Sequence, residues 1–176
     1  MKASPMSFRR FALVGATAAA ALLGACSDAT APRADDGLPR NLDRGIYPLV
    51  TVASQTSSSA QVELYLKRVP SAVKLSSFQG ELTYDPNVLA LEHTDLPPGI
   101  IGSTNETTPG HVRFAGAGLD GVGDVPVLAL RFTRHGEIRR ESFGVKVEEL
   151  TDAQGFADLT AQVSGGTPFF HVGSSH

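Results

Sequence analysis

The segment SFQGELTYDPNVLALE, residues 77–92, carries the pattern that decides the fold. Its first half alternates with a period of two, which is typical of a strand that buries one side. The side chains predicted to point inward are Phe78, Leu82 and Tyr84, and those predicted to point outward are Gln79, Glu81 and Thr83. Asp85 can cap a single helical turn, and Pro86 has the fixed φ that suits the first position of such a turn. We expect this turn to carry Leu89 back over the end of the domain.

The same alternation recurs along the chain from Tyr47 onward. Segment 60–69 shows it most clearly. The side chains predicted to face inward are Val62, Leu64 and Leu66, and those predicted to face outward are Glu63, Tyr65 and Lys67. Short runs of this kind between turn residues predict an all-β, antiparallel sandwich or barrel. The predicted strands are 49–54, 60–69, 77–84, 89–93, 111–115, 125–133, 143–150, 157–163 and 169–172. The glycine-rich segments 99–110 and 116–123 are predicted to be loops, because glycine permits backbone angles closed to other residues.

The first 25 residues have the layout of an export signal. Three cations, Lys2, Arg9 and Arg10, precede a mostly apolar run, residues 11–25, that is short for a membrane-spanning helix. The run ends in LGAC and resembles the lipobox of bacterial lipoproteins, whose cysteine, here Cys26, accepts lipid. Several acyl chains on one residue anchor a protein firmly. An ordinary signal peptide or a twin-arginine signal is the alternative.

Ser27 follows the cysteine, which in well-studied double-membraned bacteria is typical of outer-membrane lipoproteins. We therefore expect an exported chain, lipid-anchored at the outer membrane or cell surface. The stretch 27–45 lacks hydrophobic periodicity and contains proline, glycine and charged residues, as flexible tethers do. The predicted organisation is a signal peptide at 1–25, a lipidated N-terminus and tether at 26–45, and one β-sandwich domain at 46–176.

Composition excludes some classes of partner and chemistry. Three of the 15 Lys and Arg residues lie in the leader, which has no acid, so the mature chain has 12 bases against 18 acids and a net charge of −6. This balance disfavours nucleic acid, because phosphate binding needs clustered cations. Cys26 is the single cysteine, so the chain forms no internal disulfide.

Several segments, taken in order, resemble the cohesin domain, a nine-stranded jelly-roll β-sandwich. The resemblance is clearest in FQGELTYDPNVLALE, residues 78–92, where a strand runs into Tyr-Asp-Pro and a Val-Leu turn. The other matching segments are VELYLKRVP at 62–70, GHVRF at 110–114, VLALRF at 127–132 and GFADLTAQVSGG at 155–166. The likeness covers roughly residues 47–173. Carbohydrate-binding modules share the general architecture, so the fold alone does not give the function.

The resemblance implies a noncatalytic module that binds a dockerin-like or other secreted protein through one exposed sheet face. Matching the strand before Tyr-Asp-Pro places Ser77, Gln79 and Glu81 on that face, where the cohesins compared favour Asn and Asp. Val127, Ala129 and Arg131 are also predicted to point outward, and they extend the face if their strand is a neighbour. Polar groups would select the partner and a small apolar patch would supply burial.

Metal, cofactor and catalytic sites have little support in the sequence. The histidines, His93, His111, His135, His171 and His176, lack the spacing of a chelating pair within one strand or helix. Asp120 with Asp124, and Asp152 with Asp158, flank turns without the dense acidic pattern of calcium loops, so ordinary turn chemistry explains them. The chain has no G-x-S-x-G motif, and its glutamates sit in strand patterns whose exposed faces normally carry charge. We expect no enzyme activity, no metal and no cofactor.

Two other functions stay open. A carbohydrate-binding lipoprotein would stack aromatic rings on a polysaccharide, and Tyr65 is the best outward candidate in a chain with no Trp and three Tyr. A structural component of the cell envelope would use the sandwich only as a support.

Overall fold

The alternating segments form nine strands in the computed structural model, which describes residues 38–39, 41–69, 74–123 and 125–173. The strands are β1 (Gly45–Gln55), β2 (Ser59–Val69), β3 (Leu75–Tyr84), β4 (Leu89–Asp95), β5 (Ile100–Thr108), β6 (His111–Val122), β7 (Leu128–Arg134), β8 (Phe143–Asp152) and β9 (Phe169–Val172). Within the described ranges, the helical segments are two short 3-10 helices, Arg140–Ser142 and Thr160–Gln162. The all-β prediction is therefore confirmed.

The nine strands divide between two sheets. One sheet has the order β4-β7-β2-β1-β9, and the other has the order β5-β6-β3-β8. Neighbouring strands are antiparallel, with the exception of β9, which lies parallel to β1. This is the predicted nine-stranded sandwich. The predicted signal peptide and most of the predicted tether, including Cys26, lie outside the described residues, and no helix of the described part is long and apolar enough to span a membrane.

The core lies between the sheets and includes the side chains of β2 and β3 that alternation predicted to point inward. Tyr84 of one sheet packs edge-on against Phe132 of the other, with ring centroids 4.9 Å apart. Burial of each large apolar side chain stabilises the fold by about 1.5–3 kcal/mol. The largest fully buried side chains are Phe114, Phe132, Ile46, Leu64, Leu82, Leu89, Leu128, Leu130, Leu150, Val50, Val52 and Val62.

The turn after β3 forms as predicted, and it carries the chain from one sheet to the other. The backbone amides of Val88 and Leu89 donate to the carbonyl oxygen of Asp85, at 3.1 and 3.0 Å. The carboxylate of Asp85 accepts the amide of Asn87 at 2.9 Å, which satisfies a donor at the start of the turn. Leu89 is fully buried where β4 begins in the opposite sheet. The turn therefore fixes the end of β3, the strand that carries the predicted binding residues.

The prediction of loops at 99–110 and 116–123 was wrong, because β5 and most of β6 occupy these segments. Gly99 and Gly110 do lie in the turns before and after β5, with positive φ, but Gly102 and Gly116 serve close packing within the strands. A Cβ on Gly116 would lie 2.6 Å from Cζ of Phe78 and 2.8 Å from Cγ2 of Ile100, and a Cβ on Gly102 would overlap the carbonyl oxygen of Ala115. Only glycine fits where strands and core rings approach so closely.

Two predicted strand limits also need correction. Segment 157–163 is not a strand: Asp158 makes an isolated bridge with Thr151, Val163 makes one with Ile46, and a 3-10 helix lies between them. The Asp158 carboxylate accepts the amide of Thr160 at 2.8 Å, and this side-chain hydrogen bond favours the turn over an extended strand. Strand β7 begins at Leu128 rather than at residue 125.

Candidate functional site

The outer side of the four-stranded sheet is a broad surface of mostly small and polar residues, which we call the polar face. It is made by the side chains of β3, β5, β6 and β8 that alternate with the buried ones. Its members are Ser77, Gln79, Glu81, Thr83, Ile101, Ser103, Asn105, His111, Arg113, Ala115, Ala117, Lys146, Glu148, Glu149 and Thr151. The predicted residues Ser77, Gln79 and Glu81 therefore lie together along β3, in the middle of this surface.

The register of the strands arranges the polar face in rows. Ser77 lies opposite Ala117 on β6 and Thr151 on β8, and its Oγ lies 2.7 Å from the Oγ1 of Thr151. Glu81 lies opposite Arg113 and Lys146. Uncharged residues thus occupy the Ser77 end of the face, with Glu149 at its border, and most of the ionisable residues occupy the other end.

Glu148 is the centre of the charged half. Its Oε2 accepts hydrogen bonds from Nη2 of Arg113 at 2.6 Å and from Nε2 of Gln79 at 3.2 Å, while its Oε1 accepts one from Nζ of Lys146 at 3.3 Å. The hydrogen bonds from Gln79 and Lys146, with a further contribution from Arg113, lower the pKa of Glu148 although its partial desolvation opposes this shift. The carboxylate is therefore held ionised and in one position.

A β-bulge explains why Glu148 reaches these partners. Gln79 pairs with Glu149 and Gly80 pairs with Val147, so β8 has one more residue than β3 at this point. An extra residue of this kind redirects a side chain and increases the local twist. It places Glu148 and Glu149 on the polar face together, which strict alternation would not do.

A second ionisable pair lies near the start of β6. The Nδ1 of His111 is 2.6 Å from Oε1 of Glu81, across the β3–β6 pair. Glu81 is thereby engaged on the side of β6, while Lys146 lies across from it on β8. The charged half of the polar face is therefore an ordered network of both signs.

The uncharged half contains a shallow depression of about 320 Å³. Ala115, Gly116 and Ala117 of β6 form its floor, and Ile101 rises at one side with 65% of its surface exposed. Gln79 and Glu149 line the other side. A small apolar patch with a polar rim is the arrangement found at the centre of many protein interfaces.

The remaining predicted site residues do not belong to the polar face. Tyr65 on β2 and Arg131 on β7 lie in the five-stranded sheet, on the opposite side of the sandwich. The prediction that Val127 points outward was wrong. It precedes the first residue of β7, belongs to the core cluster, and has only 1% of its surface exposed. Because β3 and β7 are in different sheets, the two predicted sets cannot form one surface.

Three members of the site, Arg113, Lys146 and Glu148, were not predicted from the sequence. Arg113 and Lys146 occupy outward positions that alternation in β6 and β8 could have indicated. Glu148 reaches the face through the bulge, for which the sequence has no clear signal.

Tyr65, the candidate for sugar stacking, is surrounded by its own strand neighbours. Its hydroxyl donates to Oε2 of Glu63 at 2.7 Å, and Nζ of Lys67 lies 4.8 Å from the ring centroid. Burial, followed by the hydrogen bond and the charge of Glu63, raises the pKa of Tyr65 to about 12. The hydroxyl and one ring face are therefore engaged within the chain.

The acidic turn after β8 shows ordinary turn chemistry, as predicted. Oδ1 of Asp152 accepts the amides of Gly155 and Ala157 at 2.8 and 3.3 Å, and these bonds hold the pKa of Asp152 below its usual value. Asp124 of the other predicted turn lies outside the described residues. Across the described ranges, no group of three or more His, Cys, Asp or Glu residues is placed to hold a metal ion.

Comparisons with known proteins give matches in structure rather than in sequence. No model of a protein family matches the chain, and no curated protein matches it. Among solved structures, the chain is similar to the sixth cohesin of scaffoldin B from Acetivibrio cellulolyticus, solved in complex with a dockerin. The identity is 16%, the TM-score is 0.51, and the match covers 73% of this chain and 99% of that one.

Two further cohesins agree with this result. A non-cellulosomal cohesin from the archaeon Archaeoglobus fulgidus matches with 18% identity and a TM-score of 0.53 over 74% of this chain and 92% of that one. A cohesin from a type I cohesin–dockerin complex of Clostridium thermocellum matches with 11% identity and a TM-score of 0.53 over 73% of this chain and 99% of that one. At such identities the similarity shows the fold. The described part of the chain has a cohesin-like fold.

Proposed function

We propose that the chain is a noncatalytic, membrane-anchored binding module that captures a protein partner on the polar face. The observation that carries this proposal is the pairing of a small apolar depression with an ordered charged network on one accessible sheet surface. The network would select a partner with complementary charges, and the depression would supply apolar burial. Both parts are already in place without the partner, so little ordering accompanies binding.

A protein ligand agrees with the structural neighbours. The Acetivibrio cellulolyticus and Clostridium thermocellum cohesins were solved in complexes with dockerins. The partner proposed here is accordingly a dockerin-like or other secreted protein. The residues on β3 that would face the partner are Ser77, Gln79 and Glu81. They differ from the Asn and Asp favoured at these positions in the family that the sequence resembles.

A pair of matched substitutions tests the binding surface. Ala115 is half-buried on a central strand of the polar face, and Ala129 is half-buried on β7 of the opposite sheet. We expect Ala115→Arg to weaken capture of secreted dockerin-bearing proteins by about 100-fold or more, because it fills the floor of the depression with a charged side chain. Ala129→Arg should leave capture unchanged. Equal capture by the two variants, both shown to be folded, would refute the assignment of this face.

The membrane anchor is the second part of the proposal. Cys26 would carry the lipid, and residues 27–45 would hold the domain away from the membrane. A Cys26→Ser variant should lose incorporation of a labelled fatty acid and should no longer fractionate with the outer membrane. Ser27→Asp provides the matched control, because it should keep the label and change only the membrane in which the protein is found. Persistent labelling of Cys26→Ser would contradict this anchor.

Sugar binding at Tyr65 has weaker support than protein binding. Lys67 lies over the ring, and the hydroxyl is hydrogen-bonded to Glu63, so a sugar would have to displace contacts that the chain already makes. Glycan binding that Tyr65→Ala abolishes and Ala115→Arg preserves would favour a carbohydrate-binding module. Stable association with envelope proteins that neither variant affects would favour a structural component of the envelope.

A further inference from the structure

The outer edge of β8 already accepts an added segment over part of its length. β8 is the last strand of its sheet, so alternate backbone groups along it point away from β3. At the far end, the amide of Leu159 donates to the carbonyl of Leu150 at 2.8 Å, and the amide of Asp152 donates to the carbonyl of Ala157 at 3.1 Å. The amide of Leu150 donates to Oγ1 of Thr160 at 3.0 Å. Residues 157–160 thus extend the sheet for a short distance.

The added segment then leaves β8 for the other sheet. Val163 forms a bridge with Ile46 of β1, and the amide of Ser164 donates to the carbonyl of Ile46 at 2.8 Å. The first half of β8, residues 144–147, has no strand along its outer edge in the described part of the chain.

The bulge determines which backbone groups remain at this open edge. Leu150 lies opposite Phe78 and turns its amide and carbonyl away from β3. Gly80 lies opposite Val147, two residues along β3, because the bulge adds one residue to β8. The amides and carbonyls of Val147 and Val145 therefore also turn outward, in line with those of Leu150.

A groove of about 390 Å³ lies against this edge. Val145, Val147 and Val163 line it with apolar surface. Gly165 and Gly166 form part of its far wall, and a Cβ built on either glycine would meet no atom within 4 Å. The groove is therefore bounded on one side by the open backbone edge of β8 and on the other by a segment that contains Val163 and two glycines.

We propose that this groove binds an extended peptide segment as an added β-strand beside residues 144–147 of β8. The four residues of the open edge span about 13 Å, which matches a segment of four or five residues. Apolar side chains at alternate positions of the peptide would contact the valines, and its backbone would pair with that of Val145 and Val147. The rim of the groove carries one acidic and one basic residue, Glu81 and Lys146. The peptide positions between the apolar ones therefore suit neutral polar residues.

An extended peptide is the expected ligand because the other half of the β8 edge already pairs with an extended segment, residues 157–160 of the same chain. The groove is separate from the depression of the polar face, because no residue lines both, although Glu81 and Lys146 at the rim of the groove also belong to the polar face. Loss of one kind of binding therefore does not require loss of the other.

Backbone amide shifts in NMR test the proposal with the full-length chain and a capped peptide of sequence TVTVTK as the probe. We expect the amides of Val145 and Val147 to shift on addition of the peptide. A version of the peptide with proline at alternate positions should cause no shift, because proline lacks the donor. Shifts confined to β5 or to the polar face, or none at peptide concentrations of about 1 mM, would overturn the proposal.

Two glycine substitutions provide the matched variants. Gly165→Trp should fill the groove without backbone strain and weaken peptide binding by about tenfold or more. Gly123→Trp, at another glycine whose Cβ would meet no atom, should bind the peptide as the unmodified chain does. Ala115→Arg should also retain peptide binding, which separates this site from the partner site. Undiminished binding by Gly165→Trp would refute the assignment to the groove.

Discussion

Gly116 provides the sharpest test of how closely β6 packs against its neighbours β3 and β5. A Cβ at this position would lie 2.6 Å from Cζ of Phe78 and 2.8 Å from Cγ2 of Ile100, whereas carbon atoms in favourable contact are about 3.5–4.0 Å apart. Phe78 is a buried core residue, so its ring cannot move into solvent to make room. Gly116→Ala therefore has to push strands or core rings apart by about 1 Å.

The size of the effect follows from two opposing contributions. Adding a methyl group to a closely packed site costs about 1–3 kcal/mol. Replacing glycine also restricts the unfolded chain and by itself stabilises a protein by about 0.4–1 kcal/mol. We expect Gly116→Ala to lower the free energy of unfolding by about 1–2 kcal/mol. In a domain of this size, that loss corresponds to a fall in Tm of about 4–8 °C.

Urea denaturation followed by far-UV circular dichroism measures this change, since the chain has no Trp for fluorescence. Gly123→Ala is the control, because its Cβ would meet no atom within 4 Å and the unfolded-state contribution acts alone. It should be as stable as the unmodified chain or slightly more so. If Gly116→Ala matched Gly123→Ala in stability, the close packing of β6 against β3 and β5 would be refuted.

Three further predictions concern single side chains. The hydrogen bond from Gln79 and the nearby cations lower the pKa of Glu148 from its ordinary 4.5, so their stabilising effect is present above pH 4.5 and is lost as the pH falls through the lowered pKa. Between about pH 6 and about pH 3, the free energy of unfolding measured in urea should therefore fall more for the unmodified chain than for Glu148→Gln. An equal fall in the two proteins would contradict the network. Tyr65 should ionise at about pH 12 in an ultraviolet titration, and Glu63→Gln should lower that value, because the carboxylate opposes the phenolate; an unchanged titration curve would exclude this contact. Phe156 has a φ of 54° and 73% of its surface exposed, so Phe156→Asn should raise the free energy of unfolding by about 0.5–1 kcal/mol in thermal denaturation, and a lower Tm would argue against strain at this residue.

The fold class could be predicted from the sequence because the local patterns, alternation within strands and turn residues between them, agree with the final fold. Alternation identified β1 to β4 and β6 to β9 at least in part, and the turn at Asp85 was predicted correctly. β5 was missed because it lies at the edge of its sheet and is mostly exposed, so its residues do not alternate between apolar and polar. Gly116 suggested a loop because its reason for being glycine, the approach of Phe78, involves residues distant in sequence.

The candidate site could be predicted only where one strand determines it. Ser77, Gln79 and Glu81 share a strand, so alternation alone places them on one side. The strands that lie beside β3 depend on sheet order, which is set by contacts distant in sequence. For this reason Arg131 was grouped with the wrong surface. Glu148 was not predicted for a different reason, since it reaches the polar face only through the bulge in β8.

The parallel pairing of β1 with β9 determines how the domain resists stretching. Leu49 lies opposite Phe169 and Val52 lies opposite Val172, so the two strands run side by side in the same direction. A force that pulls Gly45 and Val172 apart would slide one strand along the other and load their hydrogen bonds together. A hairpin pulled at its open end would instead break its bonds one after another. The domain should therefore withstand mechanical extension between these two residues better than its modest number of β1–β9 pairs suggests.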